Sequence, residues 1–144
     1  MSALLSAAAA DVLETMFFTP VMGEAEISLT PPASAVAARL YFAGARPGTF
    51  ALRVTELAAA GIAANFLGEE ASEPSPGQVR DVICELANMI CGSVLSRLDS
   101  EAHFDLGHPE LVDPGEAALP DGVSRAFDIG EGEVAVFLRI HVQP

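Results

Sequence analysis

Lysine is absent from this sequence of 144 residues, so all seven basic residues are arginines. Its absence excludes Schiff-base chemistry on a lysine and a phosphate-binding loop that needs Gly-Lys followed by Ser or Thr. Twenty acidic residues against these seven basic ones give a net charge of 7 − 20 = −13. A chain of that charge repels phosphate backbones, and we therefore expect no nucleic acid partner.

Cysteines and long apolar runs are also scarce. Two cysteines fit a reducing compartment better than a disulfide scaffold. No apolar run approaches the roughly 18 residues that a membrane span needs, and the apolar N-terminus lacks the basic residues of a secretory signal. We therefore expect a cytoplasmic protein with no membrane partner.

What the sequence does contain is apolar residues in regular patterns. Hydrophobic residues make up 51% of the chain and charged residues only 19%, which indicates a packed core rather than an acidic disordered tail. The length suits a single domain over residues 1–144.

The periodicity of these residues predicts the elements. Spacing of three and four predicts helices over residues 3–18, 55–67 and 78–98, the second of them capped by Thr55. Alternation predicts strands over residues 24–30, 36–42, 50–54, 102–106, 123–129 and 134–142, and residues 107–122 read as an irregular excursion.

The order of these elements indicates the fold class. Strands come in runs, which favours an α+β fold with long helices packed on one face of a mostly antiparallel sheet of about six strands. Each half has a long helix followed by three strands, which suggests a pseudo-repeat. Tyr41, Phe137 and His141 fall on outer strand faces, so we expect a helix or another chain to cover them.

The helix over residues 78–98 carries an unusual polar face. Its apolar residues share one arc, while Asp81, Glu85, Asn88 and Gly92 fall within roughly 60° of one another on the opposite side. We call these four residues the polar ridge. Asn and Gly in mid-helix lower helix stability, and such local costs are often found at functional sites. From spacing alone, an ordinary solvated helix face with an incidental Asn explains the pattern equally well.

The residues of the polar ridge resemble a known signature. The stretch Glu85-Leu-Ala-Asn88-Met-Ile-Cys-Gly92, with Asp81 one turn before it, resembles the signature helix of the CheC, CheX and FliY family of response-regulator phosphatases, and CheX-type members in particular. Residues 36–50 with the Gly44 turn resemble the family's central hairpin, residues 55–58 and 66–68 the helix after it, and residues 12–17 the opening helix. The resemblance therefore covers nearly the whole chain and implies a CheC/CheX-like fold.

The resemblance also implies a function: hydrolysis of the aspartyl phosphate on a CheY-like receiver domain. By this likeness Asn88 would orient the attacking water, and Glu85 would pair with the receiver's active-site lysine. Asp81, Met89 and Gly92 would contact the partner. The Mg²⁺ would belong to the receiver, so the chain would need no cofactor or metal of its own. A homodimer is implied as well, and the terminal strand 133–142 is a candidate edge for it.

Some family members carry a second copy of the motif on the first helix. The comparable place here holds Glu14 and, three residues later, Phe17 where an Asn would be required. Because Phe cannot orient water, we expect one active site per chain, with Glu14 a solvated carboxylate and Phe17 a core residue.

Other readings stay open at this point. A non-catalytic interaction or scaffold module of the same fold, in chemotaxis or flagellar-switch signalling, is the main alternative; an unrelated hydrolase using Asp81 and Glu85 is a weaker one. His103, Asp105, His108 and Glu110 match no metal-ligand spacing. Cys84 and Cys91 lie about 10 Å apart along one helix, so we expect core thiols and not a disulfide.

Overall fold

The described residues form three α-helices and a sheet. The computed structural model describes residues 1–28, 32, 34–68 and 73–141. The helices are α1 (Ser2–Thr15), α2 (Glu56–Leu67) and α3 (Pro76–Leu98), and a short 3₁₀ turn covers Pro114–Glu116. None of the helices in this part of the chain is both long and apolar enough to span a membrane.

The sheet is antiparallel throughout the described residues. Its strands are β1 (Gly23–Ala25), β2 (Ala35–Gly44), β3 (Gly48–Thr55), β4 (Phe104–Leu106), β5 (Glu110–Val112), β6 (Val123–Asp128) and β7 (Glu133–Ile140). They lie in the order β1-β6-β7-β3-β2-β4, and β5 also pairs with β2. This architecture confirms the predicted α+β fold.

The strand order has an internal symmetry. If α1-β1-β2-β3 is matched with α3-β4-β6-β7, the order β1-β6-β7-β3-β2-β4 reads the same from either edge, with the β3–β7 pair at its centre. The helices α1 and α3 also pack against each other. The pseudo-repeat suggested by the sequence thus has a counterpart in the topology.

The main core lies between the helices and the inner face of the sheet. The predicted inner residues of the first hairpin, including Leu40, Phe50 and Leu52, are fully buried there. They meet the apolar faces of the three helices because strand residues alternate between the two faces of the sheet. This packing fixes α3 along the sheet with one side turned to solvent.

The outer face of the sheet is partly covered, although none of the three described α-helices packs there. Phe137 is completely buried in a second apolar cluster whose floor is alanines on four strands, and Leu119 packs in the same cluster. The excursion over residues 107–122, which contains β5 and the 3₁₀ turn, therefore acts as the cover that Phe137 was expected to need. Tyr41 stays exposed, and His141 contacts the Thr49 hydroxyl at 2.8 Å.

The first predicted strand is much shorter than expected. Only Gly23–Ala25 pairs with β6, because the chain then turns across the outer face. Ile27 packs on the second cluster, and the Ser28 carbonyl accepts a 2.6 Å hydrogen bond from Arg53 of β3. Burial lowers the pKa of Arg53 from its ordinary value, and the nearby Glu133 opposes that shift. Residues 29 and 30 of the prediction lie outside the described residues.

Other predicted boundaries also need correction. Helix α1 ends at Thr15 rather than at residue 18. Phe18 takes a left-handed φ of 52°, and Pro20 disfavours helical backbone at Thr19, the residue before it. Thr55 occupies the N-cap position of α2, but its side chain makes no capping hydrogen bond, because the hydroxyl accepts one from the Glu133 amide instead. Gly68 ends α2 as expected, at φ 67°.

The position of β7 overturns one expectation. The terminal strand, predicted as an exposed dimer edge, pairs with β3 on one side and β6 on the other. The free edges of the described sheet are β1 at one end and β4 with β5 at the other. Residues 134–138 of β7 are all buried, so both faces of this central strand are covered.

Candidate functional site

Local sequence signals build α3, the helix that carries the polar ridge. The helix begins at Pro76, two residues before the predicted start, behind a capping box. The Gln78 amide donates to the Ser75 hydroxyl at 3.1 Å, and the Ser75 amide donates to the Gln78 side chain at 2.8 Å. Such a cap is worth about 1 kcal/mol to a helix, and it fixes the start of α3.

The polar ridge faces away from the core. The buried side of α3 consists of Val82, Ile83, Leu86, Ala87, Ile90, Cys91, Val94 and Leu95. Asp81 and Glu85 are exposed, while Asn88, Met89 and Gly92 are partly exposed. Helical geometry places the four ridge residues roughly opposite the centre of the buried arc. The four ridge residues therefore lie on the accessible side of α3, whereas Met89 is partly exposed and also packs against the main core.

The polar side chains of the ridge have no internal partners. Among the residues that the structure describes, Asp81, Glu85 and Asn88 make no side-chain hydrogen bond or ion pair. The Asn88 carboxamide keeps both donors and its acceptor available, and the two carboxylates keep their charge for a partner. The arrangement can bind a cation at one end and orient a small polar molecule at the other.

Gly92 leaves an open place beside Asn88. A Cβ atom added at Gly92 would meet only the Leu106 Cδ2 atom, at 4.0 Å, outside the helix's own backbone. Internal packing therefore does not require glycine here, although glycine costs about 1 kcal/mol relative to alanine in a helix. The missing side chain leaves room for another molecule to approach.

The two thiols of α3 are unsuited to chemistry. Both cysteines are free. Burial raises the pKa of Cys91 to about 12, and burial, followed by the charge of Asp81, raises the pKa of Cys84. Because the thiolate is the reactive form, these residues act as small apolar side chains at the core, as expected.

Comparison with known families decides which protein class this geometry belongs to. The model of the family "Chemotaxis phosphatase CheX" matches residues 36–127, which include all of β3, α2, α3, β4 and β5 and all but one residue of β2 and of β6. The chain belongs to the CheX family. The comparison with curated protein sequences gives no match.

Solved structures agree with CheX membership at the level of fold. The chain superimposes on CheX from Vibrio vulnificus with a TM-score of 0.77 at 20% identity, covering 96% of this chain and 95% of that one. For the CheX–CheY–BeF₃–Mg²⁺ complex from Borrelia burgdorferi the TM-score is 0.74 at 16% identity, with 97% of each chain covered. Thermotoga maritima FliY gives 0.61 at 13% identity, with 94% of this chain and 86% of that chain covered.

The place where a second CheX-type motif would lie is built differently. Phe17 is fully buried and stacks on Phe66, with ring centroids 4.6 Å apart. Glu14 is exposed, and its carboxylate accepts a 3.3 Å hydrogen bond from the Val21 amide. The expected core role of Phe17 is confirmed, and the amide-bearing ridge of the described chain lies on α3.

The described residues after α3 include histidines and carboxylates that form no metal site. His103 contacts Asp105 at 2.9 Å, but both are exposed, and the described residues contain no group of three metal-ligating side chains. A groove of about 510 Å³ lies near the start of α3, between α2 and β5. It contains Arg80 and Glu56 but none of the ridge residues.

Sequence reasoning missed one feature beside the ridge. A cleft of about 260 Å³ opens between the C-terminal half of α3 and β4, and Gly92 forms part of its wall. Its other principal lining residues are Ser96, Asp99, His103, Phe104 and Leu106. Ser96, four residues after Gly92, was the available signal, since a second small residue continues the line of the ridge. We call this feature the α3–β4 cleft.

Proposed function

We propose that this chain is a phosphatase that hydrolyses the aspartyl phosphate of a CheY-like receiver domain. One observation carries the proposal: in a CheX-family chain, Glu85 and Asn88 lie one turn apart on the solvent side of α3, and neither side chain has a partner among the described residues. The complex of CheX with CheY, BeF₃ and Mg²⁺ from Borrelia burgdorferi supports a receiver of this kind as the partner.

Asn88 is assigned the chemical role. Its carboxamide would donate to, and accept from, a water molecule placed in line with the phosphorus–aspartate bond. The water oxygen bonds to phosphorus, the bond to the aspartate oxygen breaks, and the receiver recovers its carboxylate as inorganic phosphate leaves. Phosphoryl transfer of this kind depends on positioning and charge neutralisation more than on covalent catalysis by the protein.

Glu85 is assigned the docking role. A free carboxylate one turn from Asn88 suits an ion pair with the receiver's lysine, and this chain contains no lysine of its own. Asp81 adds a second negative charge one turn earlier. Met89 and Gly92 would contribute partly exposed apolar surface near the Asn88 amide, where the small size of Gly92 lets the receiver approach. The receiver would bring the Mg²⁺, so the chain needs no resident cofactor. The same proposal places the chain in the cytoplasm with its receiver and includes a homodimer.

The proposal is tested by replacing the amide. We expect Asn88→Ala to reduce receiver dephosphorylation roughly 100-fold or more, to near the receiver's own rate, because one lost positioning group commonly has that effect. The measurement is the decay of phosphorylated receiver with Mg²⁺ and increasing amounts of the chain. Asn65→Ala is the matched control. Asn65 lies on α2, outside the polar ridge, and donates hydrogen bonds to the Phe18 carbonyl and the Thr19 hydroxyl. Its substitution should therefore leave the decay of phosphorylated receiver unchanged.

A scaffold function is the alternative that the fold also permits. Phe17 shows that one half of this architecture persists without a catalytic amide, and FliY shares the fold. A scaffold would bind the receiver without shortening its phosphorylated lifetime, whatever stands at position 88. An unchanged lifetime with the wild-type chain across several receivers would contradict the phosphatase proposal.

A further inference from the structure

The α3–β4 cleft continues the polar ridge toward the end of α3. Gly92 belongs to both features, and Ser96 lies one turn further along the helix. At 1.5 Å per residue, Ser96 lies about 12 Å along the axis from Asn88. A receiver seated on Glu85 and Asn88 would therefore extend over this cleft, since two proteins in a specific complex bury about 800 Å² each.

The cleft combines an apolar floor with a carboxylate held in place. Leu95, Phe104 and Leu106 form apolar parts of its lining. Asp99 ends α3 there, and its Oδ1 atom accepts hydrogen bonds from the Glu101 and Ala102 amides, each at 3.2 Å. The Oδ2 atom has no hydrogen-bond partner among the described residues. This carboxylate is pre-organised by its turn, so a ligand binds it without first ordering the side chain.

No cation of this chain neutralises Asp99 within the described residues. Arg97, two residues earlier, reaches the other way and forms a 3.0 Å ion pair with Asp11 of α1. His103 on the cleft wall pairs with Asp105. The cleft therefore keeps a net negative charge above an apolar floor.

We propose that the α3–β4 cleft binds a lysine or arginine side chain of the receiver and thereby helps to determine which receiver the chain recognises. This inference rests on the proposed function. Long basic side chains suit the site because their methylene stems cover apolar surface while their charged ends reach a carboxylate. The charged end of the partner side chain would lie roughly 16 Å from the phosphorylation site, the distance that separates Asp99 from Asn88 along α3. An acidic or purely apolar side chain would leave Asp99 unpaired.

Asp99→Asn tests the charge without disturbing the turn, because the Asn side chain oxygen can accept the same two backbone hydrogen bonds. We expect the concentration of chain that gives half-maximal dephosphorylation to rise about fivefold, as for the stronger exposed ion pairs, while the maximal rate is unchanged. The variant should also lose part of the wild-type salt dependence, which a purely structural change would not alter. Ser96→Phe, which fills the cleft, should raise the same concentration.

The matched control is Asp128→Asn at the end of β6. Asp128 accepts a 2.8 Å hydrogen bond from the Gly130 amide in the same manner, and its substitution should leave both quantities at their wild-type values. If Asp99→Asn keeps the wild-type half-saturation and salt dependence, or lowers only the maximal rate, the cleft inference is wrong and the phosphatase proposal stands. A wild-type chain that accelerates no receiver would overturn both.

Discussion

Glu85 and Asn88 would interact with a partner in different ways, although they are neighbours on one helix face. A carboxylate contributes a charge that acts during association, whereas a neutral amide contributes directed hydrogen bonds that act once the reacting groups are in place. Substitutions that preserve shape should therefore affect different kinetic quantities at the two positions.

Glu85→Gln keeps the size of the side chain and removes its charge. We expect the half-saturating concentration to rise roughly 30-fold or more, because the receiver's lysine would lose its partner at a desolvated contact, while the maximal rate changes little. A titration of phosphoreceiver decay measures both. Glu14→Gln, on α1, is the control, since Gln can still accept the hydrogen bond from Val21. A fall in maximal rate alone would instead place Glu85 in the chemistry.

The relative positions of site residues were predictable from the sequence where all of them lie on one helix. Asp81, Glu85, Asn88 and Gly92 share a face by helical spacing alone, and the structure places that face toward solvent. Ser96 continues the line of small residues, but the wall that β4 contributes to the α3–β4 cleft was not predictable, because Leu106 reaches Gly92 only through the pairing of β4 with β2. Local periodicity carries no information on such contacts.

At the scale of the element, α3 combines strong stabilisation with a weak point at its site. A capping box begins it, and eight buried residues hold it on the sheet. This support allows an unfavourable Gly92 in the middle of the helix, beside the amide that the proposed chemistry needs. Stability and function should therefore respond in opposite directions at this position.

Gly92→Ala separates the two effects. The free energy of unfolding in urea should rise by about 1 kcal/mol, because alanine favours the helix and the space is open. The half-saturating concentration for the receiver should rise about tenfold, because an extra methyl group disturbs a close contact. Gly61→Ala on α2 is the control: the added Cβ would approach only the exposed Glu131 side chain, and dephosphorylation should not change. Equal activity of Gly92→Ala and wild type would contradict this use of glycine.

Elements were predictable to the extent that their signals are local. Gly68 marks the end of α2 and helical spacing marks α3, so both helices were predicted to within two residues at each end. The course of the chain after β1 depends on Ile27 reaching the cluster around Phe137, more than a hundred residues away. Alternation alone therefore made that strand too long.

The charge of the whole molecule gains meaning from its distribution. Among the described residues, Arg39, Arg97 and Arg125 each form an ion pair with a carboxylate of this chain, and Arg53 is buried. The ridge and the cleft meanwhile keep free carboxylates at the surface. A partner that brings lysine and Mg²⁺ is complementary to this distribution, and charge complementarity of this kind speeds association and excludes other acidic chains.

The sheet limits how two copies of the chain can pair edge to edge, if they form the proposed homodimer. Because β7 is central, the available strands are β1 and the edge formed by β4 and β5.

Light scattering should give about twice the chain mass of 14.9 kDa. Gly23→Lys blocks β1 at a position with open space around it, and Leu111→Lys blocks β5 at an exposed residue. An edge lysine opposes strand pairing, so one variant should become monomeric while the other stays dimeric. A wild-type mass of one chain would contradict the dimer, and two unaffected variants would contradict pairing through these edges.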